Sequence, residues 1–228
     1  MDDRASVSVV VPAWNAERFL GEAVASIVAQ TYAISEIIVV NDGSTDATGA
    51  VCDELSKAHP IVRVIHQANG GPGKARDVGI AASSQPLVAL LDADDLWRTE
   101  KIALQVALLH SRPELDAVFT IAQNWFDGVP ERGPTNAMAG YVPSCILFRR
   151  RILETVGGFD SPDPLSDWVP WFLRLKAASP IDVVQETLVD RRIHDANRGL
   201  QHADARSAYA RHVAEALRSR RGTGQTRS

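Results

Sequence analysis

Asp92, Asp94 and Asp95 set three carboxylates within four positions, in the stretch Leu90-Leu91-Asp92-Ala93-Asp94-Asp95-Leu96-Trp97, directly behind an apolar run. Carboxylates crowded at the end of a buried strand repel one another and resist desolvation. A positive partner relieves both problems, and an all-oxygen set suits a hard cation such as Mg2+ or Mn2+. The competing reading is a solvated loop that caps the next helix, where Asp is common anyway. Other clusters recur along the chain. Pro12-Ala13-Trp14-Asn15 offers exposed backbone and an aromatic face. In Asn41-Asp42-Gly43-Ser44, Asp42 either accepts from a base N–H or a ribose hydroxyl, or belongs to a plain turn. Asn69-Gly70-Gly71-Pro72-Gly73-Lys74-Ala75-Arg76 joins glycines, which let a backbone approach closely, to two cations. Those cations suit phosphate or a solvated helix face.

The segments between these clusters must position them. Val7 to Val11 reads as a buried strand stopped by Pro12, and apolar residues from Glu17 to Gln30 recur at helical spacing. Ile37 to Val40 is a second strand, and Asp46 to Ala58 a helix with Asp46 as N-cap. Val62 to Ile65 and Leu87 to Leu91 are further strands, followed by helices ending near Ser83 and His110. Strand and helix alternate four times, which predicts an α/β fold: a mostly parallel sheet with helices on both faces. Ligands of such sheets bind beyond the carboxyl ends of the strands, where all the clusters fall. A dinucleotide-binding fingerprint is excluded, because Arg76 stands in place of the third glycine and the cluster follows the third strand.

Past Arg112 the regularity fades. Strands are expected at Ala117 to Ile121, Ser144 to Phe148, Val183-Val184 and Leu188-Val189, and helices at Arg150 to Val156 and Asp167 to Ala178. Asp127 to Gly140 reads as a loop rich in Gly and Pro. One domain is expected over 1–221, comprising a nucleotide-type half (1–112), an irregular half (113–200) and a C-terminal helix (201–221), with 222–228 a frayed tail.

Composition narrows the class. In 228 residues, 45% hydrophobic content supplies a substantial core, and a net charge of −4 gives no reason to expect nucleic acid. Only Cys52 and Cys145 are present, so a disulfide framework is excluded and a reducing compartment is expected. The acidic Met1-Asp2-Asp3-Arg4 start does not read as a signal peptide, and no apolar run reaches membrane-span length. A cytoplasmic protein is expected.

Four ordered stretches carry a family resemblance. Val9 to Glu17, Val39 to Asp46, Asn69 to Asp77 and Leu91 to Asp95 together resemble the inverting family 2 glycosyltransferases of GT-A fold. The resemblance implies transfer of a sugar from a nucleoside diphosphate donor, expected to be a UDP-sugar, assisted by Mn2+ or Mg2+. It implies that Pro12, Ala13, Trp14, Glu17, Asp42, Asn69, Gly73, Arg76, Asp92 and Ala93 serve the nucleotide-sugar, and that Asp94 ligates the metal. Asp95 is left to the following helix.

In the second half, Phe148 to Asp160, Ser166-Asp167-Trp168 and Phe172 to Leu175 are similar to the family's acceptor segment, where an acidic pair opens a helix and its Asp is the general base. Ser166 replaces the first acid, which leaves Asp167 as base. Arg191 to Asn197 resembles a late R-x-H-x-x-N stretch. His194 is then either a metal or diphosphate contact, or an ordinary loop histidine.

Two other activities compete. A sugar-phosphate nucleotidyltransferase needs a glycine-rich basic loop near the first strand, which Pro12 to Glu17 does not supply. A non-catalytic nucleotide-sugar binder is favoured only by Ser166. The acceptor is left open between a saccharide, a lipid-linked group and a peptide; the short Asp127 to Gly140 loop points to a small, open or peptide-like site. His202 to Arg221 is helical by pattern and basic, with a thin apolar face. A solvated helix, or one that meets a second copy in a homodimer, is expected ahead of contact with a membrane surface.

Overall fold

Four of the five residues from Val7 to Val11 are valine, and in the computed structural model they form the strand β1 (Val7–Ala13). The structure describes residues 6–127, 137–159 and 167–194. Val9, Val10 and Val11 are all fully buried although neighbours on a strand point to opposite faces, so both faces of the sheet are covered here. β1 is followed by α1 (Leu20–Val28), β2 (Glu36–Asp42), α2 (Thr48–Ala58), β3 (Val62–Gln67), α3 (Pro72–Ala82) and β4 (Leu87–Leu90). These strands run parallel in the order β3-β2-β1-β4, as the fourfold alternation predicts.

Local chemistry sets the boundaries. The first helix begins at Leu20 rather than Glu17, because Phe19 and Leu20 both donate to the Ala16 carbonyl in a turn. Asp46 accepts the Thr48 N–H at 3.0 Å where α2 starts. Gly79 of α3 lies so close to β1 and β2 that a Cβ there would meet Val10 and Val40. That contact seats α3 on the sheet.

The second half departs further from expectation. Its elements are β5 (Leu96–Trp97), α4 (Lys101–Ser111), β6 (Ala117–Phe126), β7 (Met138–Ala139), β8 (Leu147–Arg149), α5 (Leu153–Val156), α6 (Trp168–Ala178) and β9 (Ile181–Ile193). Val183-Val184 and Leu188-Val189 are expected as two strands, yet they are parts of one 13-residue strand. Register shifts against β6, around Thr120, Ile121 and Ala122, interrupt the alternation that would have revealed it. The strand expected from Ser144 begins only at Leu147, because Pro143–Cys145 turns as a 3-10 helix. Met138 and Ala139, expected in a loop, pair with β6. The two-residue β5, unforeseen, pairs antiparallel with β9.

The sheet thus continues through both halves in the order β3-β2-β1-β4-β8-β6-β9-β5. Among the described residues no helix is long and apolar enough to cross a membrane. Residues 128–136, Ser166, Asp195 to Asn197, the basic helix expected from His202 and the tail lie outside the described residues.

One core residue is ionisable. Lys101 is fully buried, donates to Gln105 Oε1 at 2.9 Å and holds its Nζ 3.9 Å from the Trp97 ring centroid. Burial pushes its pKa down to about 7, while the indole face beneath favours the charged form. The unfolded chain keeps this proton up to about pH 10.4, so between about 7 and 10 it binds more protons than the folded state and stability rises with pH. Replacing Lys101 by the similarly long Met should raise the melting temperature at pH 7 by about 2–4 °C. It should also flatten the rise towards pH 10. Thermal denaturation across this range checks both, and an unchanged slope would refute the buried-amine account.

Candidate functional site

The carboxyl ends of β1, β2 and β4 open on a cleft of about 470 Å3. Pro12, Ala13, Trp14, Asp42, Asn69, Arg76, Asp92, Ala93, Asp94 and His194 share its walls. Glu17, Gly73 and Asp167 are not among the residues that line it.

The ends of β1 and β2 brace each other. Trp14 is 49% exposed at the rim. Asn15 takes a left-handed conformation at φ 49°, and its Oδ1 accepts the Thr45 N–H at 2.8 Å. Glu17 accepts the Ala47 N–H at 2.7 Å, so its carboxylate is engaged at the start of α2. Asp42 is buried and accepts from the amides of Gly70 and Gly71, each at 2.8 Å, and from Gln67 at 2.7 Å. Asn69 donates to the Asp42 carbonyl. Gly43, at φ 68°, could carry no Cβ, since one would stand 2.5 Å from the Asn69 nitrogen. The carboxylate read as a ligand contact therefore first holds the glycine-rich turn.

Each member of the acid cluster has its own partner. Asp92 accepts from Arg76 Nη2 at 2.8 Å and keeps a third of its side chain open. Burial pushes its carboxyl up against the pull of Arg76, helped by Asp94 and Asp167. Asp94 Oδ2 lies 3.1 Å from His194 Nε2. Asp95 does not serve the following helix, contrary to expectation. It accepts from Ser144 Oγ at 2.5 Å and from the Arg192 N–H of β9 at 3.0 Å. Burial, then Asp94 and Asp92 beside it, push its carboxyl well above the usual range. Ser144 Oγ also accepts the Asp92 N–H, and Trp97 Nε1 donates to the Ser144 carbonyl.

β9 supplies the opposite wall. Arg192 and His194 share one face of the strand, and both pack on Phe19, at 4.8 and 4.6 Å from the ring centroid. Arg192 is buried against Glu22, Asp127 and the Trp125 ring, whereas Arg191 is exposed on the cleft. Asn15, Phe19 and Arg191 are walls that the sequence reading did not single out as ligand contacts. For Arg191 the double arginine was visible. Strand alternation, which needs the register of β9, decides which of the pair is exposed.

Behind the wall, Arg76 Nη1 donates to Asp167 Oδ2 at 2.5 Å. Burial works against the Arg76 charge, and Asp92 and Asp167 reverse that effect. Gly73 lies one turn before Arg76, where a Cβ would stand 2.8 Å from Asp167 Cβ and 2.9 Å from the Phe159 carbonyl.

Asp94 and His194 fit a divalent ion that completes its shell with phosphate oxygens and water. Among the described residues no group of three or more His, Cys, Asp or Glu could hold a metal ion by itself.

Comparisons with known proteins bear on the family and the fold. A family model described as glycosyl transferase family 2 matches residues 8–157. An uncharacterised glycosyltransferase of Nostoc sp. is 31% identical over 222 residues, covering 88% of this chain and 69% of that protein. Glycosyltransferase GlyG of Streptococcus pneumoniae is 41% identical over 97 residues, covering 42% of this chain and 32% of GlyG. Among solved structures, mannosyltransferase PcManGT of Pyrobaculum calidifontis, in complex with GDP-Man and Mn2+, superposes with a TM-score of 0.75 at 19% identity, over 95% of this chain and 65% of that one. S. aureus TarS in complex with UDP-GlcNAc gives 0.68 at 20% identity, over 86% and 61%. The chain thus spans less than two thirds of GlyG, TarS and PcManGT.

The close approach at Gly73 can be tested directly. Gly73→Ala should lose about 1–3 kcal/mol of stability by overpacking against Asp167 and Phe159. Urea denaturation measures it, and parental stability would show that the two segments do not press on this glycine.

Proposed function

The chain belongs to glycosyl transferase family 2 and is a glycosyltransferase with a GT-A fold; on that premise we propose that it moves a sugar from a nucleoside diphosphate donor, first among them a UDP-sugar, to an acceptor with inversion at the anomeric carbon. The observation that carries this reading is the meeting of Asp94 and His194 at 3.1 Å in a cleft walled by Asp92, although they stand 100 positions apart in the chain. Trp14 offers a face on which a base stacks, and Asp42 shapes the Asn69–Gly71 turn against the nucleotide. Asp92 faces ribose or donor sugar.

In the transfer, the anomeric C–O bond to the diphosphate breaks as the acceptor oxygen bonds to the same carbon from the opposite side. Asp167 accepts the proton that the acceptor hydroxyl loses. Negative charge grows on the departing diphosphate, and a cation stabilises it, the role proposed for Arg191, which lines the cleft. A divalent ion held by Asp94 and His194 would supply Lewis-acid stabilisation of that same charge. The acceptor is a saccharide, a lipid-linked group or a peptide.

Two measurements test the reading. With Mn2+ present, the cognate donor among UDP-GlcNAc, UDP-glucose, UDP-galactose and GDP-mannose, at about 100 times its Kd, should stabilise the fold by about 2.7 kcal/mol. That appears as a melting shift of about 5–10 °C. Asp94→Ala should abolish most of the metal-dependent part of the shift and lower nucleotide-sugar hydrolysis on the order of 10²-fold; full activity without metal would defeat the metal role. Asp167→Asn should bind donor normally while kcat falls by about 10²–10⁴-fold. Parental turnover in that variant would remove Asp167 as base.

A further inference from the structure

The resemblance implies that Arg76 touches the nucleotide, but its guanidinium is engaged elsewhere. One terminal nitrogen donates to Asp92 and the other to Asp167. Only 5% of the side chain is exposed, and its Nε is buried with no hydrogen-bond partner among the described residues. The guanidinium carbon stands 5.9 Å from the centroid of the Phe159 ring, which stacks on Trp171 at 4.4 Å. Little of this group is left for a ligand.

What it does instead follows from which carboxylates it joins. Asp92 follows β4 on the donor wall, while Asp167 directly precedes α6 in the other half of the chain. A planar fork with two parallel donors sets their separation and the direction of both. Docking of the acceptor-side segment does not need this fork. Asp77 already accepts the Phe159 N–H at 2.8 Å, and Arg174 holds the carbonyls of Val156 and Gly158. With the backbone anchored by those bonds, the Arg76 fork is left to orient the Asp167 carboxylate.

We infer that Arg76 is a positioning residue for the general base, holding Asp167 at a set distance and angle from Asp92, and that its effect on nucleotide binding is secondary. The inference rests on the reading of Asp167 as the base. A misplacement of about 1 Å at a reacting group costs on the order of 10²-fold in rate, which sets the size of the effect to look for.

The test is a double-variant cycle of Arg76→Lys, Asp167→Asn and their combination. UDP affinity with Mn2+ is measured by calorimetry, and kcat and KM are taken for whichever of UDP-GlcNAc, UDP-glucose, UDP-galactose and GDP-mannose is hydrolysed fastest. Calorimetric stoichiometry counts folded sites, so rates are expressed per site. Arg76→Gln, which keeps amide donors without charge, provides a second reading should the lysine variant fail to fold. Lysine keeps the charge but not the fork, so Arg76→Lys should lower kcat about 10²-fold while UDP affinity stays within about threefold. In the Asp167→Asn background the same change should lower kcat less than about threefold, because the group it orients can no longer act. A loss of UDP affinity matching the loss of rate would overturn the inference in favour of a nucleotide contact. Independent, multiplying losses in the cycle would overturn it as well. Parental turnover in Asp167→Asn alone would instead refute the base reading, and hydrolysis of none of the four donors would refute the proposed donor chemistry; this inference falls with either.

Discussion

Three carboxylates at the end of one buried strand are a standing electrostatic strain, and the architecture around the cleft compensates it one carboxylate at a time. Asp92 receives a guanidinium from α3, Asp94 an imidazole from the segment after β9, and Asp95 a hydroxyl and a backbone amide from Ser144 and β9. These partners come from separate segments: α3, the Pro143–Cys145 turn, and β9 with the residue after it. The long strand β9 and the 3-10 turn at Pro143–Cys145 must therefore be where they are. If β9 were displaced, Asp94 would lose His194 and Asp95 the Arg192 amide, in a region that resists desolvation.

The same requirement explains why two unlike halves share one sheet. The parallel half ends at β4, and β8, β6, β9 and β5 extend it to bring the compensating groups back to the acid segment. β5 is only two residues long and would be negligible as a strand, but it pairs Leu96 and Trp97 with Asp190 and Val189 and so fixes β9 against the acids. α3 performs the corresponding task on the other side. Gly73, Arg76 and Asp77 meet the acceptor-side segment through a missing side chain, an ion pair and a hydrogen bond respectively. The two halves of the chain are thereby held together.

Much of this was legible in the chain. Strand and helix alternation in the first half rests on apolar runs and helical spacing, which survive any tertiary context because both faces of the parallel sheet are buried. The positions that line the cleft fall at strand ends for the same topological reason. β9 escaped because bulged pairing with β6 breaks its period, and β5 because two residues carry no period at all. Asp95 was read as serving the following helix, whereas a hydroxyl and an amide from segments distant in sequence engage it; the intramolecular partners of Glu17 and Asp42, likewise distant, were not visible in the sequence.

The sequence by itself determined the α/β class, the four clusters at the strand ends and the residue types able to bind a phosphorylated sugar, because these depend on local periodicity and side-chain chemistry. Only the tertiary structure decided which carboxylate meets which partner: Asp92 and Asp167 on one arginine, Asp94 at His194, Asp95 inside the frame. Pairings across separations of 16 to 100 residues depend on sheet order and register. A linear pattern does not encode those, since a shift of one position in β9 would exchange the faces of Arg191 and Arg192.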